Sequence, residues 1–219
     1  MSAKPPSHMA LMDRVYRRQR HFYNLTRRYY LVGRDRLVRE LALSPGQSAV
    51  EVGCGTARNL IAMARLYPGT RLFGVDASAL MLETAANAVA RAGLSERVAL
   101  AQGYAESLSP QMFDKSDGFD RVVFSYSLSM IPDWRGALAA AGAVLAPGGR
   151  LHIVDFGDFA GLGRFGAAAL RLWLRHFHVE PRGEILRTLE RAPYGVADAL
   201  WIAPGRYAFV WSADCYPGC

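Results

Sequence analysis

The segment best suited to chemistry spans residues 50–59 and reads VEVGCGTARN. Gly53 and Gly55 allow the backbone to approach a ligand closely, because glycine tolerates conformations that other residues avoid. Glu51 places a carboxylate beside this glycine turn, and Asp76 supplies another one 23 residues after Gly53. A carboxylate at that spacing is typical of sites in which it accepts hydrogen bonds from the hydroxyls of a ribose. The pattern therefore indicates a site for a ligand that contains a ribose.

A dinucleotide is the first alternative ligand for such a turn. Its fingerprint requires a third glycine at position 58, close to the pyrophosphate, and this sequence has Arg58 there. No Walker lysine follows the turn, and Glu51 would face a positive group rather than a phosphate. S-adenosylmethionine carries an ammonium and a sulfonium, which suit the carboxylates of Glu51, Asp76 and Glu106. We therefore expect S-adenosylmethionine as the cofactor.

Strands and helices alternate around these residues, as the changing spacing of the apolar side chains indicates. The five predicted parallel strands are residues 48–52, 71–75, 97–101, 120–124 and 150–155. The helices predicted between them are residues 56–66, 78–92 and 132–145. Two later strands, 198–203 and 207–212, would add an antiparallel C-terminal hairpin. These elements predict an α/β fold with a doubly wound, Rossmann-like, mostly parallel seven-stranded sheet.

Positive charge is concentrated at the start of the chain. Residues 1–40 contain ten Lys and Arg against three Asp and Glu, and this excess equals the formal charge of +7 of the whole chain. Such asymmetry predicts contact with an anionic membrane surface or with nucleic acid. We expect no nucleic acid as a partner, since no recognised binding module accompanies the basic segment. Residues 1–43 are predicted to form a basic, aromatic, helical appendage, and residues 44–219 the cofactor-binding domain.

The sequence also indicates where the protein resides. It contains no run of about 18 apolar residues that could span a bilayer, and its N-terminus lacks the apolar region of a secretion signal. Cys54, Cys215 and Cys219 show no metal-binding spacing and are interpreted as reduced thiols. We expect a cytoplasmic protein, peripherally associated with the inner face of the membrane, that binds no metal. The sequence leaves its oligomeric state open.

The motifs together resemble those of class I S-adenosylmethionine-dependent methyltransferases over about residues 44–157. The resemblance implies nine residues that bind the cofactor, which are Glu51, Gly53, Gly55, Asp76, Ala77, Met81, Ala105, Glu106 and Ser125. Glu51, Gly53 and Gly55 would hold the methionine part of the cofactor. Asp76 would hold the ribose, and Ala77 and Met81 would flank the adenine. Two departures are Tyr104, where the family often has Asp, and Ala57, where it has a third glycine.

A second group of residues is expected to act on the methyl acceptor. Tyrosines and arginines crowd residues 16–35, and Tyr16, Tyr23 and Tyr30 follow one another at seven-residue steps, hence near one helical face. Aromatic faces attract methylated ammonium ions, and arginines bind carboxylates or phosphates through two hydrogen bonds. We expect catalytic roles for four residues, which are Tyr16, Tyr23, Tyr126 and His178. Acceptor binding is expected of three more, which are Tyr30, Arg34 and Arg182.

Two stretches, residues 23–37 and 173–182, resemble bacterial betaine-lipid N-methyltransferases. That resemblance implies trimethylation of diacylglyceryl-homoserine, and hence a lipid substrate at an anionic membrane surface. Residues 162–177 suit such a substrate, because they combine Trp and Phe with Arg at positions 164, 171 and 175. This composition is typical of a helix that lies in a membrane interface. We therefore expect peripheral contact with a membrane.

Several other functions are compatible with the sequence. Phosphatidylethanolamine N-methyltransferases and quinone C-methyltransferases share parts of the resemblance. A quinone or small-molecule C-methyltransferase would need a base beside a phenol and would not need the basic N-terminal segment. An aminocarboxypropyl transferase would use the same cofactor and move a different part of it, and a non-catalytic protein would bind the cofactor without turnover.

Overall fold

The computed structural model describes residues 31–175, 179, 181–191 and 197–214. Its strands are β1 (Ser48–Val52), β2 (Arg71–Asp76), β3 (Val98–Gln102), β4 (Phe119–Ser125), β5 (Leu145–Phe156), β6 (Ala199–Ile202) and β7 (Ala208–Asp214). The α-helices of this part of the chain are α1 (Arg34–Glu40), α2 (Arg58–Leu66), α3 (Ala79–Arg91), α4 (Trp134–Ala143), α5 (Gly163–Arg175) and α6 (Glu184–Leu189). Residues 1–30 of the predicted appendage lie outside the described residues, and α1 belongs to the described end of it.

The strands form one seven-stranded sheet in the order β3-β2-β1-β4-β5-β7-β6. Strands β1 to β5 are parallel, whereas β7 runs antiparallel to both β5 and β6. Helices follow β1, β2 and β4, because a parallel neighbour is reached only through a crossover connection. The predicted fold class, a mostly parallel α/β sheet with an antiparallel C-terminal hairpin, is confirmed.

The sheet buries apolar side chains on both faces, because neighbouring residues of a strand point to opposite sides. On one face, Val123 of β4 belongs to a buried cluster with Leu60 and Met63 of α2. On the other face, Phe124 belongs to a second buried cluster with Trp134 of α4. Burial of this kind stabilises the fold by roughly 25 cal/mol for each Å² of apolar surface removed from water. The two clusters fix the strands, and thereby the loops that follow the strands.

Two predicted boundaries differ from the structure for local reasons. The helix predicted from residue 132 begins at Trp134, because the carboxylate of Asp133 caps it by accepting a hydrogen bond from the backbone N–H of Gly136 (3.0 Å). The strand predicted from residue 150 begins at Leu145, which pairs with Phe119 of β4 ahead of an irregularity in the ladder.

The parallel strands end together at one edge of the sheet, and β2 and β4 lie on opposite sides of β1. Open α/β sheets bind ligands at such a point, outside the carboxyl ends of the strands. Here β1 ends at Val52, β2 at Asp76 and β4 at Ser125. The fold therefore brings the glycine turn and the predicted carboxylates to the same edge.

Candidate functional site

The glycine turn after β1 depends on the absence of a side chain at Gly53. This residue has a φ of 75°, and a Cβ atom built on it would lie 2.6 Å from the Cβ of Ser127. Its backbone N–H donates a hydrogen bond to the carbonyl of Val75 (2.8 Å), which draws the turn against the end of β2. Gly55 and Ala57 also have positive φ values, of 54° and 60°. Ala57 thus adopts the left-handed conformation at the position where the family has a third glycine.

Asp76 connects the end of β2 to this turn. Its carboxylate accepts hydrogen bonds from the backbone N–H of Gly55 (2.8 Å) and of Ser78 (2.9 Å). These two contacts hold the carboxylate at the end of β2, beside the glycine turn. The side chain is mostly buried and lines the main cavity of the site. Its predicted role in holding a ribose is compatible with this position and stays a prediction.

Glu51 lies at the other end of the site, buried in β1. Its carboxylate accepts a hydrogen bond from the side-chain amide of Asn59 in α2 (2.6 Å), a partner that the sequence did not single out. Glu51 and Asn59 line a small cavity of about 50 Å³, here called the Glu51 cavity, together with Ser125. Within the described part of the chain, the buried hydroxyl of Ser125 has no hydrogen-bond partner. The Glu51 cavity therefore offers polar groups to a ligand, and the predicted contact with the methionine part of the cofactor stays a prediction.

Cys54 lies between these two carboxylates. Burial raises the pKa of its thiol well above the usual value, and the charges of Asp76 and Glu51 raise it further. The thiol is therefore protonated at neutral pH, as expected for a buried cysteine that packs rather than reacts.

The main cavity has a volume of about 310 Å³ and opens beside the turn. It is lined by Gly53, Asp76, Ala77, Gly103, Tyr104, Ala105, Glu106, Tyr126, Ser127, Met130, Ile131, Pro132 and Asp133. Six of these were predicted as site residues. Three of the lining residues, Asp76, Glu106 and Asp133, are acidic, and none of the described ones is basic. We call it the carboxylate cavity, and its charge suits a ligand with positive groups.

Met81 does not line the carboxylate cavity. Its side chain is buried at the start of α3 and packs against Leu80 and Met130, and of these Met130 does line the cavity. Met81 thus supports the cavity wall from behind, and the predicted contact with adenine stays a prediction. Ala77 and Ala105, the other predicted adenine neighbours, do line the cavity.

Tyr126 lines the carboxylate cavity, but its hydroxyl already makes a hydrogen bond within the protein. The phenol donates a hydrogen bond to the carbonyl of Val32, and the ring packs edge-on against Phe156 at 4.7 Å between centroids. Burial raises the pKa of the phenol well above 10, and the charge of Asp155 adds to the rise. At neutral pH the phenol keeps its proton. A role for Tyr126 as a proton acceptor therefore does not fit, and its predicted catalytic role stays a prediction.

Asp155 is a site-adjacent residue that the sequence reasoning missed. It is fully buried near the carboxyl end of β5 and accepts a hydrogen bond from the backbone N–H of Ser129 (3.1 Å). This contact holds the loop after β4, which supplies Ser127 and Met130 to the carboxylate cavity. Burial raises the pKa of the Asp155 carboxyl to about 6. An acidic residue at the end of a predicted inner strand was the signal that could have revealed it.

A further cavity of about 510 Å³ has the opposite charge. It is lined by Leu31, Val32, Gly33, Arg34, Asp35, Arg36, Arg39, Arg58 and Trp201, and we call it the arginine cavity. Arg36 pairs with Glu40 (2.6 Å) and lies over the ring of Trp201. Arg34 and Arg58 also line the Glu51 cavity, so the arginine cavity adjoins the Glu51 cavity. Arg34, a predicted acceptor-binding residue, is thus placed to bind an anionic group.

The remaining predicted residues divide into two groups. Arg182 reaches the rim of the carboxylate cavity, where its guanidinium lies 3.5 Å from the carbonyl of Pro132. Four predicted residues, Tyr16, Tyr23, Tyr30 and His178, lie outside the described residues.

Across the described ranges, no cluster of three His, Cys, Asp or Glu side chains suits a metal ion. In the same ranges, no helix combines the length and the apolar character needed to cross a bilayer.

Comparison with known proteins agrees with this site. Residues 49–149 match the family model described as a methyltransferase domain. Methyltransferase GfsG of Streptomyces halstedii is 32% identical over 121 residues, which cover 55% of this chain and 42% of that protein. A ubiquinone/menaquinone biosynthesis C-methyltransferase of Syntrophotalea carbinolica is 30% identical over 151 residues, covering 67% of this chain and 60% of that protein. The chain therefore spans about half the length of these curated relatives.

A solved structure of a SAM-dependent methyltransferase from Aquifex aeolicus has the same fold. It aligns with a TM-score of 0.63 at 17% identity, covering 87% of this chain and 93% of that one. The residues that match the family model include the glycine turn, Asp76 and most of the carboxylate cavity. These residues fit S-adenosylmethionine for two reasons. The carboxylates suit its positive groups, and the glycines of the turn allow the protein backbone to approach it closely. Residues 49–149 therefore resemble a methyltransferase domain, and the comparisons support S-adenosylmethionine as its cofactor.

Proposed function

We propose that this protein is an S-adenosylmethionine-dependent N-methyltransferase that acts on the amine headgroup of a membrane lipid. Its preferred acceptor in this proposal is diacylglyceryl-homoserine, which it trimethylates to the betaine lipid. The observation that carries the proposal is the charge of the carboxylate cavity, which has three acidic and no basic lining residues among those described. Each methyl transfer to an amine produces an ammonium cation, which is permanent after the third transfer, and acidic walls favour such a product over a neutral one.

The walls of the same cavity also suit the methyl groups of such a cation. Tyr104, Tyr126, Met130 and Ile131 contribute aromatic and apolar surface beside the carboxylates. A methylated ammonium carries a charge and an apolar surface of methyl groups. Its contact with an aromatic ring is worth about 0.5–2 kcal/mol. The mixture of acidic and apolar walls therefore supports N-methylation more strongly than methylation of an anionic oxygen.

Positioning is the main work that the protein residues do in this reaction. The cofactor supplies an electrophilic methyl group when it is bound. Holding an amine in line with that group can be worth roughly 7–11 kcal/mol. The amine must lose its proton before it attacks. The buried Tyr126 phenol keeps its own proton and is not the acceptor. In this proposal, water at the mouth of the cavity takes the proton.

A homoserine headgroup has a carboxylate beside its amine, and the site offers a cation for it. Arg182 lies at the rim formed by Pro132, next to the acidic walls. An arginine can bind a carboxylate through two parallel hydrogen bonds. An ethanolamine headgroup lacks this carboxylate, so Arg182 supports the homoserine lipid as the preferred acceptor.

A second candidate is C-methylation of a lipophilic quinone. It is favoured by the similarity to the ubiquinone/menaquinone biosynthesis C-methyltransferase and by the apolar wall of Met130 and Ile131. Such a reaction needs a base beside a phenol, and Glu106 is an exposed carboxylate in the same cavity. The two candidates differ in the atom that is methylated.

The test is incubation of the protein with labelled S-adenosylmethionine and a panel of acceptors in detergent micelles. The panel contains diacylglyceryl-homoserine, phosphatidylethanolamine and a demethylated menaquinone, and products are weighed by mass spectrometry. We expect addition of up to three methyl groups to the homoserine lipid. Methylation of the quinone alone would replace the proposal by the second candidate. Transfer of a larger group, or no product from any acceptor, would refute both.

A further inference from the structure

Helix α5 is apolar on two sides, although a helix needs only one apolar side to pack. Leu174 and Ala167 are buried against the rest of the protein. On the other side, Phe165 is 84%, Leu172 72% and Trp173 41% exposed to solvent. Phe165 and Leu172 are two helical turns apart and therefore share one face, and Trp173 lies beside Leu172 on the same side. Large apolar side chains gathered in this way mark an interaction surface.

The charge of α5 indicates what that surface binds. Its sequence, GRFGAAALRLWLR, contains three arginines and no acidic residue. Helical spacing puts Arg164, Arg171 and Arg175 on one stripe along the edge of the exposed apolar face. All three are exposed, and Arg171 is held in place by a hydrogen bond to the carbonyl of Asp158 (2.8 Å). An apolar face bordered by arginines complements a surface that is apolar inside and anionic outside.

The position of α5 relates this surface to the site. The carboxylate cavity lies at the carboxyl ends of the parallel strands, and the chain leaves β5 from that same edge. Only residues 157–162 separate the end of β5 from the start of α5. The start of α5, with Arg164 and Phe165, therefore lies near the end of the molecule where the cavity opens.

We infer that α5 is an interfacial helix that inserts Phe165, Leu172 and Trp173 into an anionic lipid bilayer. Arg164 and Arg175 contact lipid phosphates at the border of the inserted face. A second copy of this chain is disfavoured as the occupant, because pairing the two faces would bring the arginine stripes together. The inference deepens the proposed function, on which it rests for the lipid acceptor, since a lipid is then reached from the bilayer that α5 binds.

The experiment measures sedimentation of the full chain with vesicles, without turnover. One set of vesicles contains equal amounts of phosphatidylcholine and phosphatidylglycerol, and the other contains phosphatidylcholine alone. We expect the double variant Phe165→Ser, Leu172→Ser to bind the anionic vesicles at least about tenfold more weakly than the wild type. The double variant Arg164→Gln, Arg175→Gln should lose most of the preference for anionic over neutral vesicles, as should the wild type in high salt.

Leu66→Ser is the matched control. Leu66 is 48% exposed at the end of α2, which runs from the site edge back toward the opposite edge of the sheet. This variant should bind like the wild type, and thermal unfolding should show that all variants are folded. The inference is overturned if the wild type binds neither kind of vesicle, if the Phe165→Ser, Leu172→Ser variant binds as well as the wild type, or if Leu66→Ser weakens binding equally. It is also overturned if that double variant changes the sedimentation velocity of the protein alone, which would identify a self-association face.

Acceptors in detergent micelles separate this inference from the proposed function. If vesicle binding behaves as expected and no lipid amine is methylated in micelles, the proposed function fails and the interfacial helix stands. If the micellar acceptor is methylated equally by the wild type and by the Phe165→Ser, Leu172→Ser variant, and both bind vesicles equally, the interfacial helix fails and the proposed function stands.

Discussion

Two cavities lie on either side of the glycine turn after β1, and they carry opposite charge. The carboxylate cavity contains three acidic side chains and no basic one among the described residues. Among the described residues, the arginine cavity is lined by four arginines and one aspartate. The Glu51 cavity lies between them and shares Arg34 and Arg58 with the arginine cavity. A ligand that extends across the turn therefore passes from an acidic environment to a basic one.

The opposite charges of the two cavities indicate how the site orients its ligands. S-adenosylmethionine carries a carboxylate at its amino-acid end and a positive sulfonium nearer its middle. Fixed charges that match such a ligand select one direction of binding, since the reversed direction would bring like charges together. In this view Arg34 attracts the carboxylate of the cofactor and Glu51 its ammonium, and the carboxylate cavity takes the ribose, the sulfonium and the amine acceptor. Breaking the turn, its supports or either charge tests the comparison.

The largest effect is expected for Gly53→Ala, which adds a side chain to the glycine turn at the wall of the carboxylate cavity. The new Cβ would lie 2.6 Å from the Cβ of Ser127, so the turn and the loop after β4 must separate. A displacement of about 1 Å in such a site can cost roughly a hundredfold in rate. We expect turnover with micellar acceptor to fall by on the order of a hundredfold and cofactor affinity, measured by calorimetry, to fall as well.

The matched control for this change is Gly148→Ala. Gly148 has the same φ of 75°, but a Cβ there meets no atom within 4 Å. It therefore reproduces the backbone strain without the contact. If both variants lose cofactor affinity equally, strain rather than the contact with Ser127 is responsible, and the comparison of the cavities loses its structural basis.

The second prediction concerns Asp155, which supports the carboxylate cavity from behind. Its pKa is about 6 in the folded protein against 3.8 ordinarily, so the folded state holds the proton more tightly. The resulting stabilisation is complete below about pH 4 and is lost as the pH rises through 6. The shift corresponds to roughly 2–3 kcal/mol. Chemical denaturation should show the unfolding free energy of the wild type falling by this amount between pH 4 and 8, relative to Asp155→Asn. Parallel curves for the two proteins would contradict the assignment.

Third comes Asp76→Ala, which removes the carboxylate that joins β2 to the turn. We expect cofactor affinity to fall at least about tenfold, because hydrogen bonds to a charged group contribute roughly 1.5–3 kcal/mol each. Asp120→Ala is the control, since Asp120 also accepts a backbone hydrogen bond, from Ser48 (2.8 Å), at the opposite edge of the sheet. Unchanged calorimetric affinity for Asp76→Ala, or an equal loss in Asp120→Ala, would refute the role of Asp76.

The two cavities differ in how far the sequence reveals them. The carboxylate cavity follows from local patterns, because strand ends can be predicted and Asp76 and Glu106 each follow a strand. The arginine cavity does not, since it needs Trp201 of β6 beside Arg36 of α1, and such a contact is set by sheet order. The contact of Asp155 with Ser129 and the position of Met81 behind the wall are likewise tertiary, so helical and strand periodicity carry no signal for them.

Fourth, Arg34→Gln tests the basic side of the comparison. Arg34 lines both the arginine cavity and the Glu51 cavity, whereas Arg39 lines the arginine cavity alone. We expect Arg34→Gln to weaken cofactor binding by about three- to tenfold, because a charge-assisted contact to a carboxylate is lost next to solvent. Arg39→Gln should change it by less than about twofold. Equal affinities of the two variants would show that the arginine cavity does not take part in orienting the cofactor.

The smallest effect on turnover is expected for Tyr126→Phe. The substitution keeps the ring in the carboxylate cavity and removes the hydroxyl that donates to the carbonyl of Val32. Since that carbonyl is left without this donor, the free energy of unfolding should fall by about 1–3 kcal/mol in denaturant titrations. Turnover at saturating cofactor should change by less than about threefold, because burial keeps the phenol protonated and unable to accept the proton of the amine. The pH profile separates the alternatives: a general base would give a loss of orders of magnitude and remove an ionisation from the profile, whereas a positioning residue leaves its shape unchanged. Only the second outcome agrees with an acidic cavity that binds the amine by charge and shape and gives its proton to water.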